Sequence, residues 1–400
     1  MNRYFGSLLL LLSCHGTLLA VDEITVSFEK DVRPILKAAC FHCHGEENVK
    51  EGELDVRLAR FLKVGGDSGS AIVPGDADQS LLFQRVRDGE MPPEEAHHLT
   101  DQQIETIRSW INTGAQTIRV EPESLEGPYI TPEEQAHWSF QPLQAPEVPV
   151  VKDSKSVSNP IDAFILKKLE QEGFTFAQRA TNTILIRRLK FDLLGLPPTP
   201  EEIEEFVNND SANAYERLVE QFLSSPHYGE RWGRHWLDVA GYSDSEGYSV
   251  EDRERPDAWR YRDYVIRSFN EDKPFDLFIL EQLAGDELIK SPLNNLTPED
   301  ADLLVATGFL RMGPDGTGGK VDDVNLARNE VVAETIKIIT SSLLGMTVGC
   351  AQCHDHRYDP IPQSDYYQLR AVFDPALDWK KWRTPAQRRV SLYTDEDRKQ

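Results

Sequence analysis

The sequence predicts a mostly α-helical protein, and three observations carry that prediction. Apolar residues recur three and four apart in one segment after another, the spacing of a helix face. Helix-start signatures stand before such runs, as in Thr100-Asp101-Gln102-Gln103 and Thr199-Pro200-Glu201-Glu202. No run shows sustained period-two alternation, so little sheet is expected.

Taken in order, Phe28, Val32, Ile35, Leu36 and Ala39 fall on one helix face, and Ile104, Ile107 and Ile111 on another. Residues 120–157 read as a linker, because Pro122, Pro128, Pro132, Pro142, Pro146 and Pro149 interrupt any regular element. Thr131-Pro132-Glu133-Glu134 marks one short helical turn within it, and Gln141 to Val151 an extended run. Beyond it, Ile161, Phe164, Ile165 and Leu169 mark a helix ending near Gly173. Ile184, Leu185, Leu189 and Leu193 mark the next, closed by Gly195-Leu196-Pro197-Pro198, and Tyr215, Leu218, Val219 and Phe222 a third. In the segment 228–238, helical geometry puts Trp232, His235, Trp236 and Val239 on one face, with His235 pointing inward. Val331, Thr335, Ile338 and Ile339 share a face of a helix that breaks near Gly345, and Ser364 is the expected cap of the last helix.

A chain of 400 residues suggests two or three domains. The net charge of −24 argues against nucleic acid or an anionic membrane surface as partner, and suits either a soluble acidic exterior or docking onto a basic protein patch. No stretch after residue 20 is apolar for long enough to span a bilayer. At the start, Arg3, the apolar run Leu8 to Leu12 and the segment Thr17 to Ala20 read as an export signal over residues 1–20, which points to the periplasm or cell envelope. Leu11-Leu12-Ser13-Cys14 partly resembles a lipoprotein processing site, so membrane attachment is expected only if Cys14 is lipidated.

The four cysteines after Cys14 form two pairs, Cys40-Phe41-His42-Cys43-His44 and Cys350-Ala351-Gln352-Cys353-His354. Both are C-x-x-C-H. Two thiols three residues apart can join the two vinyl groups of one haem, and the adjacent imidazole then reaches the iron. The alternatives are a shared zinc, which leaves the histidine after each pair unexplained, a redox dithiol, or plain disulfides. The expectation is two covalent haem c groups. Cys40, Cys43, His44, Cys350, Cys353 and His354 would bind them, with His44 and His354 on iron. Met91, 47 residues after His44 and followed by Pro92-Pro93, is the candidate distal ligand of the first haem, with His97 and His98 as rivals. For the second haem, His235 is a candidate distal ligand and equally a core histidine; Met312 is the runner-up, while Met346 and His356 sit too near the motif to reach the opposite face. Arg357 reads as a haem-propionate partner or a surface ion pair. Asp238, Asp244, Glu246 and Arg253 could build a polar site or be a solvated loop, and no catalytic residue is assigned.

The expected organisation is a small class I-like cytochrome c domain over 22–119, the Pro-rich linker, a larger helical domain over 158–376 with the second motif, and a tail over 377–400. The first motif with its Met-Pro-Pro segment resembles the cytochrome c module at the N-terminus of large planctomycete-type envelope proteins. The rest is similar to the helical domain of uncharacterised function that follows it there. That second resemblance rests on His137-Trp138-Ser139-Phe140, Asn159-Pro160-Ile161-Asp162-Ala163-Phe164, Phe191-Asp192-Leu193-Leu194-Gly195-Leu196-Pro197-Pro198, Gly229-Glu230-Arg231-Trp232, Arg260-Tyr261-Arg262-Asp263, Glu281-Gln282-Leu283-Ala284-Gly285-Asp286 and the run from Gly349 to Pro360. The resemblance implies haem contacts at Cys40, Cys43, His44, Met91, Cys350, Cys353 and His354. The chain departs from the family at Gly241, where an arginine is usual, and in stopping at Gln400 where a further large domain is usual, as a truncated product or half of a split system would.

Three functions fit: an electron-transfer protein working with a redox protein partner, a haem-dependent oxidoreductase or peroxidase-like enzyme acting at the second haem on an envelope or polysaccharide substrate, and a non-catalytic binding module stapled by haem. The sequence leaves the oligomeric state open.

Overall fold

A computed structural model describes residues 26–45, 49–93, 98–122, 125, 130–247, 252–356 and 358–399. The protein is mostly α, as expected, with only isolated β-bridges among the described residues. It divides into two compact units, residues up to 140 with 357–360, and residues 141–356 with 361–400.

The first unit opens with a wide turn at Phe28–Val32 that runs into α1 (Arg33–Ala39), followed by α2 (Ala59–Val64), α3 (Leu81–Arg87), α4 (Asp101–Asn112) and α5 (Pro132–Gln135). Phe28, Val32 and Leu36 are buried against Ile107, Trp110 and Ile111 of α4. The rings of Phe28 and Trp110 lie 5.4 Å apart. One carbonyl ties the two segments together: Gln116 O accepts from Phe28 N at 3.0 Å and from Trp110 Nε1 at 2.9 Å. Truncating a fully buried indole of this kind costs about 3–5 kcal/mol. The capping box predicted at Thr100 forms, with Gln103 N donating to the threonine hydroxyl and Thr100 N to the glutamine side chain.

The chain beyond α4 does not leave this unit at residue 119. Buried Glu29 accepts from Ile118 N at 2.9 Å, and Glu121 accepts from Ala59 N and Arg60 N at the start of α2. Thr131 is buried, and Glu134 on α5 pairs with Arg33 at 2.7 Å and Lys37 at 2.9 Å, both on α1. The unit therefore runs to Phe140. Carboxylates placed along a proline-rich stretch hold it onto α1 and α2, and proline spacing carries no sign of that.

The second unit contains α6 (Pro160–Gln171), α7 (Asn182–Leu194), α8 (Pro200–Val207), α9 (Ala214–Leu223), α10 (Pro226–Ala240), α11 (Ala258–Asn270), α12 (Phe275–Leu288), α13 (Pro298–Ala306), α14 (Val324–Ile339) and α15 (Gln363–Phe373). Ile186, Phe206, Leu218 and Phe222 make a small cluster among α7, α8 and α9. The main core joins α10 to α15, with Trp236, Tyr261, Tyr264, Val265, Phe278, Phe309 and Ile336 inside it. Several polar atoms in that core are matched: Trp236 Nε1 donates to Gln282 Oε1 at 2.9 Å and to Tyr261 Oη at 3.0 Å, and Tyr264 Oη donates to Glu281 at 2.6 Å.

Four expectations are corrected. The buried stripe of α10 is Gly229, Gly233, Trp236 and Ala240, one position round from the predicted face, so His235 and Val239 are exposed. The glycines decide this. A Cβ at Gly229 would come within 2.3 Å of Ile266 O, so α11 can close only on the glycine side. On α6 the buried residues are Ala163 and Leu166, while Ile161 and Ile165 are exposed. Ser364 lies inside α15, whose N-cap is Pro362. The segment from 377 is not a loose tail: Leu377 is buried, Trp382 Nε1 donates to Thr317 at 3.0 Å, and Arg388 pairs with buried Asp315 at 2.6 Å.

Burial pushes the Glu134 carboxyl up, but Arg33, the Thr131 amide and Lys37 outweigh it and hold the group below the usual carboxylate range. A depressed folded value stabilises above the unfolded pKa of about 4.3 and is lost as pH falls through the folded value. Glu134→Gln is expected to cost about 1–3 kcal/mol near pH 7, with the difference from the parent closing in acid. Native-state hydrogen exchange at residues 131–135 measures it.

Candidate functional site

Both C-x-x-C-H motifs sit where a helical segment ends. α1 stops at Ala39, and the Cys40 amide still donates to Leu36 O at 2.8 Å. The chain then turns on one carbonyl: Cys40 O accepts from Cys43 N at 3.3 Å and from His44 N at 3.0 Å. In the second motif, Cys350 O accepts from Cys353 N at 3.3 Å and from His354 N at 3.4 Å. The residue after the first cysteine anchors each turn, since Phe41 and Ala351 are both buried. Two motifs more than 300 residues apart thus adopt the same backbone turn. In each, the cysteines and the histidine are brought together on it. All four thiols are free of disulfides.

The surroundings differ. Around the first motif, Glu51 N donates to Cys43 O at 2.9 Å and Val56 N to His44 O at 2.9 Å. Gly45 follows the histidine, and a Cβ there would press to 2.8 Å on Asp55 and Arg57 side chains. His44 Nδ1 is buried with no hydrogen-bond partner among the described residues. Burial, then the neighbouring Cys43 charge, pushes the Cys40 thiol up to about 12. Met91 lies in the turn after α3, where Glu90 N and Met91 N both donate to Arg85 O. Its side chain is 37% exposed, so it is not a filler of the core. His98 is exposed; His97 falls outside the described residues.

At the second motif, His354 Nδ1 lies 2.7 Å from Asp355 O. A carbonyl can only accept, so the proton is on Nδ1 and the Nε2 lone pair is left to bind a metal. Gln363 Nε2 donates to Cys353 O at 2.8 Å and Tyr367 Oη to Gln352 O at 3.0 Å, which pins the turn to α15. Met312 is buried in the core, Met346 packs against it, and His356 is buried. His235 is exposed on α10 beside Trp232, ring centroids 5.3 Å apart. Arg357 falls outside the described residues. The four polar residues 238, 244, 246 and 253 do not form one site: Asp238 is exposed, Asp244 accepts from Tyr242, Arg253 donates to Gly318 O, and Glu246 pairs with Arg255 at 2.9 Å. Among the described residues no three His, Cys, Asp or Glu side chains converge as a metal-ion site, those of the two motifs included.

Residues 160–377 match the family model PSCyt2, protein of unknown function (DUF1549). The chain belongs to the PSCyt2 family. The PSCyt2 match runs from α6 to Leu377 and takes in the second motif, while residues 40–95 match PSCyt1, planctomycete cytochrome C, and take in the first motif and Met91. No curated protein and no solved structure matches this PSCyt2 chain.

In chain made without haem, Cys40 should alkylate at least about tenfold more slowly than exposed Cys43, because the thiolate is the nucleophile. Peptide mass spectrometry after brief iodoacetamide treatment reads the ratio.

Proposed function

We propose that this PSCyt2-family chain is an exported dihaem c-type cytochrome, passing electrons between its haems and a redox protein partner in the periplasm or cell envelope. The observation that carries the reading is the hydrogen-bond pattern shared by the two motifs, in which one cysteine carbonyl accepts from the second cysteine and the histidine. The match of residues 40–95 to planctomycete cytochrome C supports it for the first site. Haem, when bound, supplies one-electron chemistry at its iron. The chain supplies attachment and orientation. Each thiol would add across a vinyl double bond, with a sulfur–carbon bond formed, the thiol hydrogen passing to the other vinyl carbon, and nothing leaving. Cys40 and Cys43 serve one haem, Cys350 and Cys353 the other.

His354 is held by the Asp355 carbonyl in the tautomer that offers Nε2 to iron. His44 has the same place in its turn, and Met91 is the distal ligand proposed for the first haem. The net charge of −24 favours a partner with a basic docking patch. Residues 1–20, which carry the export reading, and Cys14, whose lipidation would anchor the chain, lie outside the described residues.

Co-expression with cytochrome maturation should give a mature chain heavier by two haems, and Cys40→Ser/Cys43→Ser or Cys350→Ser/Cys353→Ser should each remove one. A chain carrying no haem, or stoichiometric zinc, overturns the reading. Met91→Ala should alter the low-temperature spectrum of one haem only, and His235→Ala should alter neither. Turnover of peroxide that survives loss of the first haem would favour an enzyme at the second over a carrier.

A further inference from the structure

The second unit holds a cavity of about 1810 Å³ that the haem reading does not use. It lies among α11, α12, α13, the turn after α13 and the segment 375–397. Eight Lys and Arg and six Asp and Glu line it, a basic excess within a chain whose net charge is −24. Two of the arginines are incompletely satisfied. Arg311 is half-buried and donates through Nη2 to Ala376 O at 2.7 Å, but no carboxylate lies within ion-pair distance of it among the described residues. Arg388 pairs with Asp315 through Nη1 and stacks 5.0 Å from the Trp382 ring, yet its Nη2 is buried with no hydrogen-bond partner among the described residues. Burial and the nearby Arg388 push the Arg311 guanidinium down to about 10. Asp315 and Asp286 oppose that shift without cancelling it, so a further anion between the two guanidiniums would offset the remaining cost of burial and like charge.

We propose that this cavity binds an organic oxyanion, a carboxylate or sulfate group held by the forks of Arg311 and Arg388. A guanidinium fork matches the paired oxygens of either group. The cavity exceeds the roughly 300–1,000 Å³ of common small-molecule sites, so the ligand carries a body beyond its charged group. Leu310 and Met312 give that body an apolar wall.

The test is isothermal titration of the full-length, haem-loaded chain with sodium sulfate and with citrate, against chloride at matched ionic strength. Saturable binding is expected for at least one probe; citrate alone identifies a carboxylate site and sulfate alone a tetrahedral one. Arg311→Met should weaken that binding roughly tenfold or more, the loss of a charge-assisted contact. Arg267→Gln, which breaks an exposed pair with Asp302 outside the cavity, should bind as the parent does. Where Arg311→Met does not fold, the same loss in Arg311→Lys, which keeps the charge without the fork, supports the site. No saturable binding of either probe to the parent, or undiminished binding in the folded Arg311 variant, overturns it.

Discussion

One backbone carbonyl per motif governs this protein. Cys40 O and Cys350 O each accept from two amides, those of the second cysteine and of the histidine, and this closes the chain into a turn that carries both cysteines and the histidine. Such a turn holds only if it is anchored, and in both places the residue after the first cysteine is buried in a helical core. The first unit provides that core with Phe28, Leu36 and Trp110, the second with α14 and α15. The helices are thus the support on which two short turns are fixed.

The support is built differently in the two units. The first is small and fastens its own irregular chain with carboxylates: Glu29, Glu121 and Glu134 each accept from amides or cations far along the sequence. The second buries polar side chains outright and matches them, Trp236 with Tyr261 and Gln282, Tyr264 with Glu281, and Glu281 in turn with Lys273 at 2.5 Å. A buried network of this kind tolerates no missing member, because an orphaned donor or acceptor keeps its full desolvation cost. It fixes how α10, α11 and α12 meet. It also sets one wall of the arginine-lined cavity, since Tyr261 belongs to both.

Charge is distributed unevenly over this acidic chain. The excess of carboxylates lies largely at exposed positions, whereas Arg255, Arg311 and Arg388 are drawn inward around the cavity. The segment after Leu377 completes the cavity by returning across it through Trp382 and Arg388. Arg311 there donates to Ala376 O and has no ion pair among the described residues, in contrast with Arg255, which has Glu246 at 2.9 Å and two backbone carbonyls.

The sequence alone determined the helical class, the capped starts at Thr100 and Thr199, and the two C-x-x-C-H motifs. These are local: a cap needs four residues, a motif five, and a helix face shows itself within three turns. Only the tertiary structure decided which face is covered and what distant groups meet. Periodicity put His235 inward with Trp232; the close approach of α11 at Gly229 turned that face outward. Prolines marked 120–157 as a linker, yet Glu134 returns its first part to α1. The cavity draws its wall from residues 246 to 397, and ion pairs across such distances leave no spacing to read. A chain records its own local preferences, but the neighbour that covers a face is set by packing between segments far apart.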